Sequence, residues 1–348
     1  MKYAADIIIV GGGIGGQVSA RALAYAGYQV IVCEAQPKLS GFQSVMTPIS
    51  IQNIPEPFAL NCLQEEHLST LHLPVDRLMP IQTHGPLLYE KKLWREVAPE
   101  ELKSEQLLFY FRNFSWPRGG FPTSDFCKHP NIQIHLHEPI TDCELSENKI
   151  QSVRNSKVCF SGRAFIFALP SDAMFPLLRK NFLEPHFLKQ FQKKKAISAV
   201  TLDFVLKKKV SQEIEILMSL DPVGVGFSPS NSDPSLCAPE YQILQWMFFL
   251  PPDEGKDKEA MAKTMMAGKR FLQRVFPGFE EQCLWQRIGI LPQITLQEPL
   301  HDSPHAIPLS NAFWVTHEFG QISSAGRPSV LQALKVCGRV QEALKKPL

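Results

Sequence analysis

The sequence predicts a doubly wound α/β domain into which a mixed-sheet α+β domain is inserted. Three observations predict it: a strand, glycine turn, helix and strand at the N-terminus; a buried strand closed by proline near residue 170; and alternating strands between about 196 and 250 followed by one amphipathic helix. Asp6-Ile7-Ile8-Ile9-Val10 is an apolar β-branched run, the pattern of a parallel strand buried on both faces. It breaks into Gly11-Gly12-Gly13-Ile14-Gly15-Gly16, which fits G-x-G-x-x-G with Gly11, Gly13 and Gly16. Gln17 to Ala26 reads as an Ala-rich helix stopped by Gly27. Gln29-Val30-Ile31-Val32-Cys33 is a second buried strand with Glu34 at its tip, 18 residues after Gly16. The glycines permit a tight turn, backbone approach to a pyrophosphate and close helix–strand packing, and the helix N-terminus offers free N–H groups and a positive dipole end. At that spacing Glu34 can accept hydrogen bonds from a ribose hydroxyl. Strand, turn, helix and acid together predict a dinucleotide site; a plain glycine turn leaves Glu34 unexplained.

Later elements follow the same logic. Residues 46–117 are rich in Pro and Leu, with short strands expected at 87–89 and 107–111, and Trp116-Pro117-Arg118-Gly119-Gly120-Phe121 is a turn. Residues 132–136 alternate as a strand, 149–153 and 157–160 pair as a hairpin around Asn155, and 164–170 is a separate parallel-type strand. In 196–206 the residues Ser198, Val200, Leu202, Phe204 and Leu206 share a face, and Tyr241–Leu250 is a second such strand. An amphipathic helix spans Asp257–Phe276, ended by Pro277-Gly278. The C-terminus reads strand (313–316), loop, and helix from about Ser329 to Leu344.

Composition narrows the function. In 348 residues, 44% hydrophobic and 20% charged, the chain is globular and long enough for two cores, and a net charge of +2 gives no reason to expect nucleic acid. Lys193–Lys195 and Lys207–Lys209 read as solvated strand ends. Eight scattered cysteines without a C-x-x-C pair, and a structural strand almost at residue 1 with no room for a leader, predict a reducing, cytoplasmic location. No uncharged apolar stretch approaches the ~20 residues of a membrane span, and peripheral membrane contact is left open.

Five segments resemble the FAD-dependent amine oxidase superfamily, which includes protoporphyrinogen oxidase, phytoene desaturase and hydroxysqualene dehydroxylase. They are the glycine turn with Glu34; Trp116–Phe121; Ile132–Pro170; Trp285-Gln286-Arg287-Ile288-Gly289-Ile290-Leu291-Pro292, similar to a stretch that re-enters the flavin domain; and Val315-Thr316-His317-Glu318 with Ser329–Gly338. The resemblance implies a Rossmann-like FAD-binding domain from 1–50, 118–175 and 293–348, and a substrate domain from 51–117 and 176–292. It implies FAD as cofactor, contacted by Gly11, Gly13, Ile14, Gly15, Gly16, Glu34, Ala35, Gly41, Phe42, Ile140, Glu318 and Val330, with Ile140 meeting the adenine through its backbone. Two positions depart from the family: Ser40-Gly41-Phe42 replaces a Gly-Gly-Arg loop, and His317-Glu318 replaces a closing Gly-Asp or Gly-Glu pair.

The implied activity is removal of a hydride equivalent from a small or apolar substrate. Two alternatives stay open: a non-catalytic flavin- or dinucleotide-binding protein, and an NAD(P)-dependent dehydrogenase. A flavin site needs no protein nucleophile, and no Gly-x-Ser-x-Gly elbow is present. No catalytic residue is assigned. Trp246, Phe248 and Trp285 could line a flavin ring or serve as core, and His301 and His305 read as loop residues. His135 and His137 fall two apart on one strand face, a spacing open to a metal, but Cys127 and His129 read as plain loop residues and no metal is expected.

Overall fold

Apolar strands with β-branched residues at successive positions must be covered on both faces, and this dictates the first sheet. The computed structural model describes residues 1–39, 85–104, 126–178, 196–232, 234–251, 257–295, 309–316 and 327–345, with short pieces at 44–45, 54–55, 71–72, 80–81, 107, 116–117 and 254–255. We label its main strands and helices in chain order. The first sheet holds β1 (Lys2–Val10), β2 (Val30–Cys33), β5 (Ile132–His135), β6 (Asp142–Ser146), β7 (Lys149–Arg154), β8 (Cys159–Phe167) and β14 (Ala312–Trp314). Its order is β6-β7-β8-β1-β2-β5, with β14 beside the second half of β8. β1 runs parallel to both β2 and β8, with Ile7 opposite Val30 on one side and Ala164 on the other. The chain therefore leaves β1 toward β2 first and returns later on the opposite side. That reversal opens a crevice at the carboxyl end of β1.

Helices fill both faces. α1 (Ile14–Tyr25) and α4 (Arg327–Lys345) cover one side, where Val18, Leu23, Val330, Ala333 and Val340 pack on Ile7, Ile9, Val32 and Ile166. α2 (Ser171–Leu177) and the β6–β7 hairpin cover the other, against Ile8, Val10, Phe165, Phe167 and Trp314. Each fully buried side chain of this size contributes roughly 1.5–3 kcal/mol of transfer free energy. Arg21 on α1 is buried, and no carboxylate pairs with it among the described residues. Its guanidinium donates to the carbonyls of Leu71 (2.5 Å), Phe126 (2.7 Å) and His72 (3.0 Å), tying those distant pieces to the helix. Desolvation pulls its pKa below the usual arginine range.

The second sheet has the order β13-β9-β12-β11-β10-β3-β4, from β3 (Leu87–Glu90), β4 (Leu93–Glu96), β9 (Ala196–Leu206), β10 (Leu217–Leu220), β11 (Val223–Phe227), β12 (Gln242–Leu250) and β13 (Cys283–Thr295). All its pairs are antiparallel except β10 with β3, so the sheet is mixed. α3 (Lys258–Val275) lies on the face of Val200, Leu202, Phe204, Trp246 and Phe248, and Asp257 caps it by accepting from the Glu259 N–H at 2.8 Å.

Four readings change. Residues 157–160 and 164–167 belong to one strand, β8, because Gly162 stays extended between β7 and β1 instead of ending the run. The β10–β11 hairpin is unannounced because Gly224 and Gly226 lower strand propensity; they are needed where the rings of Phe248 and Trp246 cross the neighbouring strand. The Trp285–Pro292 stretch is part of β13, which continues the second sheet to Thr295. Trp246 and Phe248 are core, stacked at 5.5 Å and packed on Phe271 beneath α3. Segments 108–111, 118–121 and 301–305, expected as strand, turn and loop, lie outside the described residues.

Candidate functional site

The crevice beyond β1 is a cleft of about 270 Å³ lined by Gly11, Gly13, Ile14, Gly15, Glu34, Ala168, Leu169, Pro170, Val315 and Thr316. Four segments meet there: the β1–α1 turn, the tip of β2, the end of β8 and the end of β14. The turn is held by backbone geometry. Gly11 has φ +104°, and its N–H donates to the Cys33 carbonyl at 2.8 Å. A Cβ at Gly11 would strike the Ala168 carbonyl, and one at Gly16 would strike the Gly11 carbonyl, so α1 starts directly against the turn only with glycine at both places. Gln17, buried, steadies the turn by donating from Nε2 to the Gly12 carbonyl at 2.9 Å.

Gly13 caps α1 with extended backbone (φ −71°, ψ −177°) and no side-chain hydrogen bond, and no acidic residue stands in the first turn. The N–H groups of the first turn have no intrahelical acceptor. An uncapped helix N-terminus with a positive dipole end, bordered by glycines, is suited to an anion such as a pyrophosphate.

Glu34 is buried at the opposite wall. Its Oε2 accepts the Gly12 N–H at 2.5 Å and its Oε1 accepts the Gln36 N–H at 2.8 Å. The carboxylate thus clamps the glycine turn to the tip of β2, and each oxygen keeps a further lone pair for a hydroxyl group in the cleft. The clamp was not legible from spacing, which points only to the ribose. The glycine cradle, the uncapped helix start and this acid fit a dinucleotide.

Of the expected contacts, Gly11, Gly13, Ile14, Gly15 and Glu34 line the cleft together, and Gly16 lies buried under the turn. Ala35 is exposed next to Glu34. Ile140 packs on the apolar cluster of the α2 face, and Val330 packs in the α1–α4 cluster. Gly41, Phe42 and Glu318 lie outside the described residues. Ala168–Pro170 and Val315–Thr316 are cleft walls that site reasoning missed. The available signals were the proline closing β8 and the position of 315–316 directly before the segment of interest.

The other candidates separate. β5 ends at His135, and His137 has φ +58°, so the two do not share a strand face. His135 sits between the rings of Tyr3 (4.5 Å) and Phe160 (5.0 Å), and desolvation lowers its pKa. His129 packs on Tyr25 at 4.7 Å. Among the described residues no three His, Cys, Asp or Glu side chains converge as a metal site. Burial pushes the Cys127 and Cys337 thiols up to about 12, which makes them inert core groups. No helix among the described residues is long and apolar enough to cross a membrane.

Residues 6–47, which take in the second half of β1, the turn, α1, β2 and the Glu34 tip, match the family described as FAD binding domain. The matched segment is the one that supplies the glycine turn, the start of α1 and the Glu34 wall of the cleft. An oxidoreductase from Methanosarcina mazei shares the fold with a TM-score of 0.72 at 14% identity, over 97% of this chain and 100% of that one. Cyclohexylamine oxidase from Brevibacterium oxydans aligns with a TM-score of 0.67 at 12% identity, over 98% and 100%. A putrescine oxidase bound to putrescine aligns at 0.62 and 12%, over 97% and 100%. No curated protein matches the chain. The segment matched as an FAD binding domain thus sits in a fold like those of cyclohexylamine oxidase and putrescine oxidase, and the likeness runs through the second sheet as well as the first.

Proposed function

We propose that the protein is an FAD-dependent oxidoreductase of amine oxidase or desaturase type, removing a hydride equivalent from a small or apolar substrate. One observation carries the reading: the cleft that starts at the uncapped α1 and Glu34 is closed by Val315 and Thr316, directly after β14 near the other end of the chain. A cofactor contacted by both ends of the sequence suits the longer FAD better than a nucleotide confined to the first βαβ unit. The overall likeness to cyclohexylamine and putrescine oxidases supports the substrate class.

In this reading FAD, when bound, supplies the hydride acceptor. The first turn of α1 holds the pyrophosphate, and Glu34 accepts hydroxyls of one ribose. Glu318, two residues beyond Thr316 in the sequence, would accept a ribityl hydroxyl. Residues 1–50, 118–175 and 296–348 form the FAD domain and 51–117 and 176–295 the substrate domain, the last boundary moved from 293 because β13 stays in the second sheet to Thr295. Anaerobic mixing of purified protein with primary and secondary amines of graded apolar size tests the activity. Bleaching of the long-wavelength flavin band by one of them, and recovery with oxygen or another acceptor, is the expected result. A flavin that stays oxidised with every amine and with unsaturated or saturated apolar substrates would leave a non-catalytic flavoprotein.

A further inference from the structure

The outer face of β13 and the flank of α3 form an apolar surface that the proposed reaction does not use. Among the described residues β13 is the edge strand of the second sheet, and Ile288 and Ile290 lie opposite Leu202 and Val200, on the face that α3 covers. The helix does not reach that far, because these two isoleucines are 45% and 51% exposed. Lys269 of α3 donates to the side chain of Gln286 on β13 at 2.9 Å, which fixes which stripe of the helix borders the strand. Met266, one turn earlier on that stripe, is 48% exposed. A long edge strand with bare isoleucines is a feature that proteins normally blunt with charge or cover.

Charge selects the occupant. α3 carries Lys258, Lys263, Lys269, Arg270 and Arg274 against Glu259 alone. Lys263 is paired with Glu259 and Arg274 lies over the Phe271 ring, while Lys269 and Arg270 stand three and four residues after Met266 on the same side of α3, at the border of the patch. Glu280 and Glu281 lie just before Leu284, at the far end of β13 from Ile288 and Ile290. A second copy seated on this face around a twofold axis would bring two basic helices together. An anionic layer with an apolar interior satisfies both the isoleucines and the cations. We propose that Ile288, Ile290 and Met266, rimmed by Lys269 and Arg270, dock the protein on an anionic phospholipid surface.

Vesicle flotation tests the proposal with the full chain. The parent protein should float with vesicles of phosphatidylglycerol in phosphatidylcholine, less so at high salt, and stay behind with pure phosphatidylcholine. Lys269→Ala with Arg270→Ala should weaken vesicle affinity roughly 30-fold, and Ile288→Glu with Ile290→Glu should abolish flotation, with circular dichroism and melting like the parent. A parent that does not float, or variants that float like it, would overturn the docking surface. So would a parent that sediments as a dimer and becomes monomeric in the Ile288→Glu, Ile290→Glu variant without ever floating, since that assigns the face to a second copy.

Discussion

Both sheets bury their central strands but build different kinds of centre. In the first, β1, β2 and the second half of β8 bury apolar residues without a charge among them, and everything polar happens past their carboxyl ends, through backbone N–H groups and Glu34. In the second, the strands carry polarity into the sheet itself. Asp203 on β9 is fully buried, accepts from Arg287 Nε on β13 at 2.6 Å and from Gln245 Nε2 on β12 at 3.1 Å, and Thr201 is buried two residues away. A site made by backbone geometry has few sequence solutions and therefore leaves a motif. A cluster of side chains drawn from three distant strands has many and leaves none. The contrast teaches where function can be read early in such a chain, and each of the following variants strains it at one point.

Gly13→Val should have the largest effect on the cofactor. The backbone at Gly13 is extended and accepts any residue, unlike Gly11 at φ +104°, so valine there obstructs the cleft without straining the turn. Near-complete loss of flavin from a protein with the secondary structure of the parent is expected; full flavin content in the folded variant would remove the cleft from the account.

Asp203→Ala should reverse the pattern, harming stability and sparing the cofactor. It takes from Arg287, only 20% exposed, the carboxylate that its Nε donates to, and breaking a buried pair from one side costs about 3–5 kcal/mol. Denaturant unfolding should show the loss, while flavin stoichiometry in the folded fraction stays that of the parent. A parallel loss of flavin would mean that the two sheets do not act separately.

Glu34→Ala comes next. Loss of a charge-assisted hydrogen bond costs about 1.5–3 kcal/mol, or ten- to a hundredfold in FAD affinity. Because the carboxylate also holds the Gly12 and Gln36 N–H groups, the variant should in addition loosen the turn, visible as faster amide exchange at Gly12. Unchanged affinity in an apoprotein titration would count against Glu34.

The smallest effect belongs to Glu213, at the border of the second sheet. Burial, then the neighbouring Glu215 carboxylate, raises its pKa above the ordinary 4.5. The folded state therefore binds its proton more tightly than the unfolded chain, so the penalty is absent below the ordinary value and grows as pH rises through the elevated one. Glu213→Gln should raise Tm slightly at neutral pH and leave it unchanged in acid. An equal shift at both pH values would rule out titration as the cause.

Much of this architecture was legible beforehand, for identifiable reasons. β1, the glycine turn, α1, β2 and Glu34 could be read because buried parallel strands and phosphate turns each restrict residue choice severely. α3 was found to within a residue because Asp257 caps it and Pro277-Gly278 follows it. What escaped depended on contacts between distant segments. Gly224 and Gly226 look like strand breakers until the rings of Phe248 and Trp246 are seen to need the room. Trp246 itself suits a flavin wall or a core equally well until α3 is placed over it. Ala168 and Thr316 show nothing of the cleft in their own identity, because only the parallel pairing of β8 with β1 and β14 brings their strand ends together.

The claim at the centre is that the cleft at the carboxyl end of β1 holds FAD. The most direct test is the absorbance spectrum of the purified protein, followed by chromatography of the cofactor released on denaturation, for the parent and for Gly13→Val. The account predicts a flavin spectrum and FAD equimolar with the parent chain, and neither in the folded variant. A colourless parent whose apoprotein binds NAD(P)H but not FAD would contradict it.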